Sequence, residues 1–164
     1  MGHEAEKAGH EKKIVNAMPT HTEKRITPYS AAQMYALVAD VAAYPAFLPW
    51  CAAARVKQRN PTDTGEVIDA DLVISFKLFR EKFGSKVTLN PGENRIDVEY
   101  LDGPFRYLNN HWQFKDIDGG CEVDFFVDFE FKSAILQAVI GVVFNEAMQR
   151  IVRAFDARAH ELYG

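Results

Sequence analysis

From Val67 to Phe131 the chain alternates between apolar and polar residues in run after run, and this period of two dictates its architecture. Ile68, Ala70, Leu72, Ile74 and Phe76 share one side of a run whose other side carries Asp69, Asp71, Ser75 and Lys77. Successive side chains of a strand point to opposite faces, so such a run forms a half-buried strand. Phe83, Ser85, Val87 and Leu89 repeat the pattern, followed by Ile96, Val98 and Tyr100, then Leu108, Asn110, Trp112 and Phe114. The last run is the clearest, with Cys121, Val123, Phe125, Val127, Phe129 and Phe131 in strict alternation. Asn90 to Asn94, Gly103-Pro104 and Asp118-Gly119-Gly120 supply turn residues between the runs, so the strands join as an antiparallel meander.

Helical spacing brackets the meander. After a short strand from Thr22 to Thr27, Ser30 with Gln33 three residues on carries the signature of a capping box. Met34, Leu37, Val38 and Val41 follow at helical intervals. A second helical turn is expected over Tyr44 to Trp50, then extended chain over Ala53 to Gln58 and a turn from Asn60 to Gly65. At the far end Ser133 caps a helix that runs to about Leu162, with Phe144, Met148, Ile151, Phe155, Ala159 and Leu162 on one stripe. In the first half of that helix Ile135, Leu136, Val139, Ile140, Val142, Val143 and Phe144 cannot share one face, so part of it meets something other than the sheet. The class is α+β: a curved antiparallel sheet of about six or seven strands wrapped around a long C-terminal helix, with two short helices after the first strand. The inner face of this helix grip is expected to carry Phe76, Leu78, Trp112, Phe114, Phe125 and Phe129, more aromatic surface than a minimal core needs. That surplus fits an apolar ligand cavity or a densely filled interior.

Tyr44-Pro45-Ala46-Phe47-Leu48-Pro49-Trp50-Cys51 is a rigid apolar connector, because its two prolines fix φ and remove two backbone donors. Such a segment covers the mouth of a cavity, meets a membrane, or packs as a corner between helix and strand. Asn110 is the polar exception on an apolar strand face. A buried amide must be bonded, either by backbone at a strand irregularity or by a ligand carbonyl.

With 164 residues, 48% of them apolar, the chain suits one domain over 18–164 behind a polar stretch at 1–17, read as a disordered extension or cloning remnant. The net charge of −4 gives no general attraction to phosphate backbones, so DNA is not an expected partner. A ribosomal subunit would require a local patch such as Lys77, Arg80, Lys82 and Lys86. Cys51 and Cys121 have no metal-ligand spacing, which points away from structural zinc and toward a reducing compartment. Residues 1–17 lack the apolar run of a secretory signal, and Glu4, Glu6 and Glu11 oppose a mitochondrial transit peptide, so the expected location is cytoplasmic. The apolar run from Ala134 to Phe144 is shorter than the roughly 20 residues of a bilayer span.

A cyclase-like enzyme needs a positioned acid or base in its pocket. His111 has the outward parity of its strand, His160 lies near the helix end, and His3, His10 and His21 lie in or beside the polar start. The acids Asp69, Asp71, Asp97, Glu99, Glu122, Asp124, Asp128 and Glu130 share the polar parity of their strands. No pocket base and no metal set emerges from this pattern.

The octet at 44–51, Arg80-Glu81-Lys82-Phe83, Gly103-Pro104-Phe105 with Leu108, Asn110, Trp112 and Phe114, and Phe129-Glu130-Phe131-Lys132-Ser133 follow one another in an order that resembles the coenzyme Q-binding family of START-like proteins. The bacterial members of that family include proteins named as ribosome-association toxins, and the wider superfamily includes polyketide cyclases and dehydrases. The resemblance covers residues 22–163 and implies non-catalytic binding of ubiquinone or a related isoprenoid lipid in support of respiratory electron transport. It implies no required cofactor, and a location at the inner face of the respiratory membrane. On this footing Tyr44, Phe47, Leu48 and Trp50, with Ile135, Val139 and Val143, are expected to form an opening that touches the membrane surface and admits the tail. Ribosome association and cyclase-like catalysis are the alternative functions.

Overall fold

The computed structural model describes residues 20–164; the extension at 1–17 and the start at Met18 lie outside the described residues. Ser30 opens α1 (Ala31–Ala39) with both halves of the expected capping box, its hydroxyl accepting from Gln33 N at 3.1 Å and its own N–H donating to Gln33 Oε1 at 2.9 Å. A 3-10 helix follows over Val41–Ala46, earlier than the turn expected over Tyr44 to Trp50. The helix ends at Ala46 with Phe47 as its C-cap, and Pro49 with the left-handed φ of 63° at Trp50 keeps the rest of the octet out of helical geometry.

The strands are β1 (Thr20–Thr27), β2 (Cys51–Thr62), β3 (Gly65–Phe76), β4 (Phe79–Asn90), β5 (Arg95–Asp102), β6 (Phe105–Ile117) and β7 (Gly120–Phe131). They form one sheet in the order β1-β7-β6-β5-β4-β3-β2, antiparallel throughout. Pro61, read from sequence as a turn residue, lies inside β2 because β2 is an edge strand, where a missing N–H breaks no ladder. Register shifts in β2, beside Gly84 in β4 and between Phe105 and Tyr107 in β6 bend the sheet into the expected grip.

Gly103 joins β5 to β6 with φ +137°, and a Cβ there would stand 2.6 Å from Phe83 Cβ and 2.8 Å from Lys82 O. Gly103→Ala is therefore expected to cost roughly 1–3 kcal/mol from backbone strain alone, with the contact added. A lower urea midpoint at unchanged slope is the check.

Ser133 caps the long helix α2 (Ala134–Tyr163) through Leu136 N at 3.1 Å. It buries Ala147 and Met148 at its middle and Phe155 and Ala159 in its second half, and Tyr163 Oη donates to Gln33 O at 3.0 Å, tying the helix end to α1. An ion pair between Arg25 and Asp156 ties the middle of α2 to β1. The first half leaves Ile135 71% and Val142 86% exposed, as its all-round apolar pattern requires. By length and composition alone α2 reaches the size of a membrane span, a length that the shorter run at 134–144 did not reveal.

Two apolar clusters fill the grip. One joins Met34, Leu37 and Val38 of α1 to Ile68, Val87, Ile96, Phe114, Val123 and Phe155. The other joins Phe83, Phe105, Phe129 and Phe131 to Leu136, Phe144 and Met148 of the first half of α2. The site lies between them.

Candidate ligand cavity

Between the two clusters the sheet curves away from α2 and leaves a cavity of about 190 Å³. Val38, Val41, Tyr44 and Leu48 close it from the helical side, Met148, Ile151 and Phe155 come from α2, and the sheet supplies Leu72, Phe83, Val87, Ile96, Val98, Leu108, Trp112, Phe125 and Val127 with Ser85 and Asn110. Trp112 is the aromatic centre of this wall: its ring lies 4.3 Å from Phe125 and 5.2 Å from Phe155. Phe155 in turn meets Tyr44 at 5.8 Å and Phe47 at 5.4 Å, so one ring links α2, the octet and the sheet.

The polar lining groups are bonded to backbone. Tyr44 Oη donates to Val38 O, Ser85 Oγ to Ala70 O at 3.2 Å, and Asn110 Nδ2 to Phe126 O at 2.8 Å. The Asn110 amide is thus bonded by backbone, at a position that borders the cavity. Burial pushes the Tyr44 phenol far above its ordinary range, with Cys51 and Asp40 acting in the same direction, so its proton stays in place near neutrality. The lining contains no Asp, Glu, His, Lys or Arg. His111 stacks on Phe126 at 5.1 Å and His160 is exposed beside Tyr29, both away from the cavity. Among the described residues no group of His, Cys, Asp and Glu is arranged to hold a metal ion.

The fourteen residues expected at a binding site part company here. Tyr44, Leu48, Asn110, Trp112 and Phe125 line the cavity, and Phe47 backs it through Tyr44 and Phe155 while Arg158 lies 5.3 Å over its ring. Phe114 is sealed in the first cluster against Tyr35, and Phe129 in the second against Phe105 and Phe144. Trp50, Phe76 and Val143 border a separate surface pocket with Lys77, Glu146, Ala147 and Arg150. Leu78, expected on the inner face, is 99% exposed at the tip of the β3–β4 hairpin, because Lys77 takes φ 54° and turns the chain there. The expected single opening is also divided. Ile135 and Val139 lie between four and six helical turns from Phe155, roughly 24–30 Å at 1.5 Å per residue, and so do not share a rim with Tyr44 and Phe47.

A polar row on β1 was not foreseen. His21, Glu23 and Arg25 alternate with exposed Thr22, Lys24 and Ile26, so this strand turns its charged side inward. His21 Nε2 lies 3.1 Å from Glu23 Oε1 with its ring against Phe125 and Phe144, and Arg25 bridges Glu23 and Asp156. Glu23, Arg25 and Asp156 border a narrow gap that shares Trp112, Phe125, Ile151 and Phe155 with the cavity, closing that side with a charged latch. Its one sequence signal is Ile26, the single apolar residue of 21–26, which faces solvent on the parity of Thr22 and Lys24.

The two thiols differ in exposure, and burial raises the pKa of both. Cys121 is fully buried, and burial with Asp116 nearby pushes its thiol up to about 11, whereas Cys51 is half-buried at the start of β2. Near neutral pH a maleimide is expected to label Cys51 alone, with Cys121 reacting only after unfolding, as read by peptide mass spectrometry.

A curved sheet gripping a long helix over an apolar cavity defines a START-like helix-grip protein. The chain belongs to the family described as polyketide cyclase / dehydrase and lipid transport, whose sequence profile matches residues 27–156. It is 40% identical over 141 residues to a protein of Rickettsia prowazekii (strain Madrid E) named Ribosome association toxin RatA, covering 84% of this chain and 94% of that one. It is 36% identical over 140 residues to the mitochondrial Coenzyme Q-binding protein COQ10 of Drosophila melanogaster, covering 82% of this chain and 56% of the relative. The solution structure of the 18 kDa protein CC1736 from Caulobacter crescentus superposes with a TM-score of 0.75 at 35% identity, covering 90% of this chain and 99% of that one.

Proposed function

We propose that this protein binds ubiquinone or a related isoprenoid lipid without chemically changing it, and carries or presents it in support of respiratory electron transport. The observation that carries this reading is the cavity itself: about 190 Å³, apolar, with its hydroxyl and amide donors bonded to backbone and no acid or base on its wall. An apolar cavity of about 150 Å³ takes up benzene, so this one suits a single ring or a short piece of an isoprenoid tail. The rest of a long tail must then leave the cavity. The similarity to a protein named for coenzyme Q binding supports the choice of ligand. Cyclase chemistry is disfavoured because it needs a proton donor or acceptor at the substrate, and the only titratable group on the cavity wall is the Tyr44 phenol, whose proton is committed to Val38 O.

Burying an isoprenoid tail from water is worth about 0.8 kcal/mol per CH₂, but a tail in a bilayer is already in an apolar medium. The free energy of transfer into the protein is therefore small, and exchange in both directions follows. Titration with a short-tailed ubiquinone is expected to quench Trp112 fluorescence saturably, with a stronger effect on the Trp50→Phe variant, where Trp112 is the only indole. Linear, unsaturable quenching of that variant counts against a cavity-bound quinone.

A second reading is association with a ribosomal subunit, which the similarity to RatA proteins supports. It predicts salt-sensitive co-sedimentation with subunits that survives removal of the apolar ligand.

A further inference from the structure

Leu78 and Val142 are the two most exposed large apolar side chains among the described residues, at 99% and 86%. Leu78 projects from the β3–β4 hairpin tip, while Val142 and Ile135 stand seven residues apart on α2 and so share one stripe of the helix. Hairpin and stripe belong to the same end of the grip, since Phe76 and Lys77 share a surface pocket with Val143, Glu146 and Arg150, and Phe79 packs on the cluster that holds Leu136. Glu146, one turn beyond Val142, bounds the patch and is paired with Arg150 at 3.4 Å.

The charge pattern of these segments departs from that of the chain. Between Asp71 and Glu81 the charged residues are Lys77 and Arg80; between Glu130 and Glu146 the one charged residue is Lys132. A protein with a net charge of −4 thus presents three cations and no acid on the two segments that carry its most exposed apolar residues. A convex apolar tip flanked by long cationic side chains fits the boundary of an anionic bilayer, where the apolar side chain enters the acyl region and the cations reach the headgroups.

We propose that this end of the protein is a docking surface for anionic phospholipid bilayers, with Leu78, Ile135 and Val142 inserted and Lys77, Arg80 and Lys132 at the headgroup level. The proposal rests on the carrier reading for its purpose, since the cargo must come from a membrane, but it is tested separately. It also places the membrane contact at the hairpin and the first turns of α2, away from Tyr44 and Phe47.

Vesicle flotation decides it, using the intact chain with phosphatidylcholine vesicles made with and without phosphatidylglycerol. The wild type is expected to float with the anionic vesicles and to be released by salt. Leu78→Asp and Val142→Asp are each expected to weaken partitioning by about tenfold. Lys77→Glu with Arg80→Glu is expected to erase the preference for anionic lipid. Their thermal unfolding and quinone quenching should match the wild type, because these side chains lie outside both cores and the cavity. Absence of wild-type flotation, or undiminished flotation of the variants, overturns the docking surface and leaves the carrier reading to its own quenching test. A wild-type dimer that Leu78→Asp converts to monomer, or subunit co-sedimentation that it abolishes, also overturns the proposal by assigning the patch to another occupant. Conversely, normal flotation without any quinone quenching counts against the carrier reading and upholds the surface.

Discussion

Phe155→Ala is expected to be the most destabilising single truncation along the cavity. Phe155 is 6% exposed, and its ring meets Trp112, Tyr44 and Phe47 within 6 Å, so it joins the sheet, the 3-10 helix and α2 at one point. Truncating a buried Phe costs about 3–5 kcal/mol, the lost transfer energy plus the cavity left behind. A domain of this size has only about 5–15 kcal/mol to lose. At about 2–4 °C per kcal/mol the melting temperature should fall by roughly 6–20 °C, readable by circular dichroism. The loss should exceed that of a Leu78→Ala control, because Leu78 is already in water in the folded state. Equal, small shifts for the two variants would mean that α2 is not held to the sheet through this ring.

Val98→Phe is expected to act in the opposite sense on stability and to abolish binding. Val98 lines the cavity from β5, opposite Asn110 in the β5–β6 register. A larger apolar side chain there enters empty space rather than a packed core, and filling a cavity commonly stabilises by about 0.5–2 kcal/mol. The same ring occupies volume that a quinone or prenyl group requires. The predicted pair of results is a melting temperature equal to or above that of the wild type and loss of saturable quinone quenching. Destabilisation by 1–3 kcal/mol, the usual cost of overpacking, would mean that the gap at Val98 closes in solution.

The antiparallel meander was legible because β3 to β7 alternate strictly and carry Gly, Pro or Asn at most of their turns. One turn lacks that chemistry. Phe76-Lys77-Leu78-Phe79 contains none of those residues, so the alternation of β3 reads straight across it and points Leu78 to the inner face, whereas the left-handed φ of Lys77 turns the chain. β2 was foreshortened for the reverse reason: Pro61 is a turn signal in general, but an edge strand tolerates it. At the site, parity correctly put Trp112, Phe114, Phe125 and Phe129 on one face of the sheet, yet only Trp112 and Phe125 line the cavity. Depth along a strand depends on where the sheet curves away from α2, and that is set by bulges at Gly84 and Phe105 that no periodicity encodes. The contributions of Leu72, Val98 and Met148 went unseen on the same account. The charged row on β1 is hard to read because residues 21–26 carry polar side chains on both parities, so the sequence does not mark which side turns inward.

Mass spectrometry of an organic extract from purified, detergent-free protein tests the central claim most directly, with Val98→Phe processed in parallel. A ubiquinone or other isoprenoid at near-stoichiometric level in the wild type, and absent from the cavity-filled variant, is the predicted result. An empty extract from well-folded wild-type protein, or equal lipid in both proteins, would contradict the claim that this cavity holds an isoprenoid ligand.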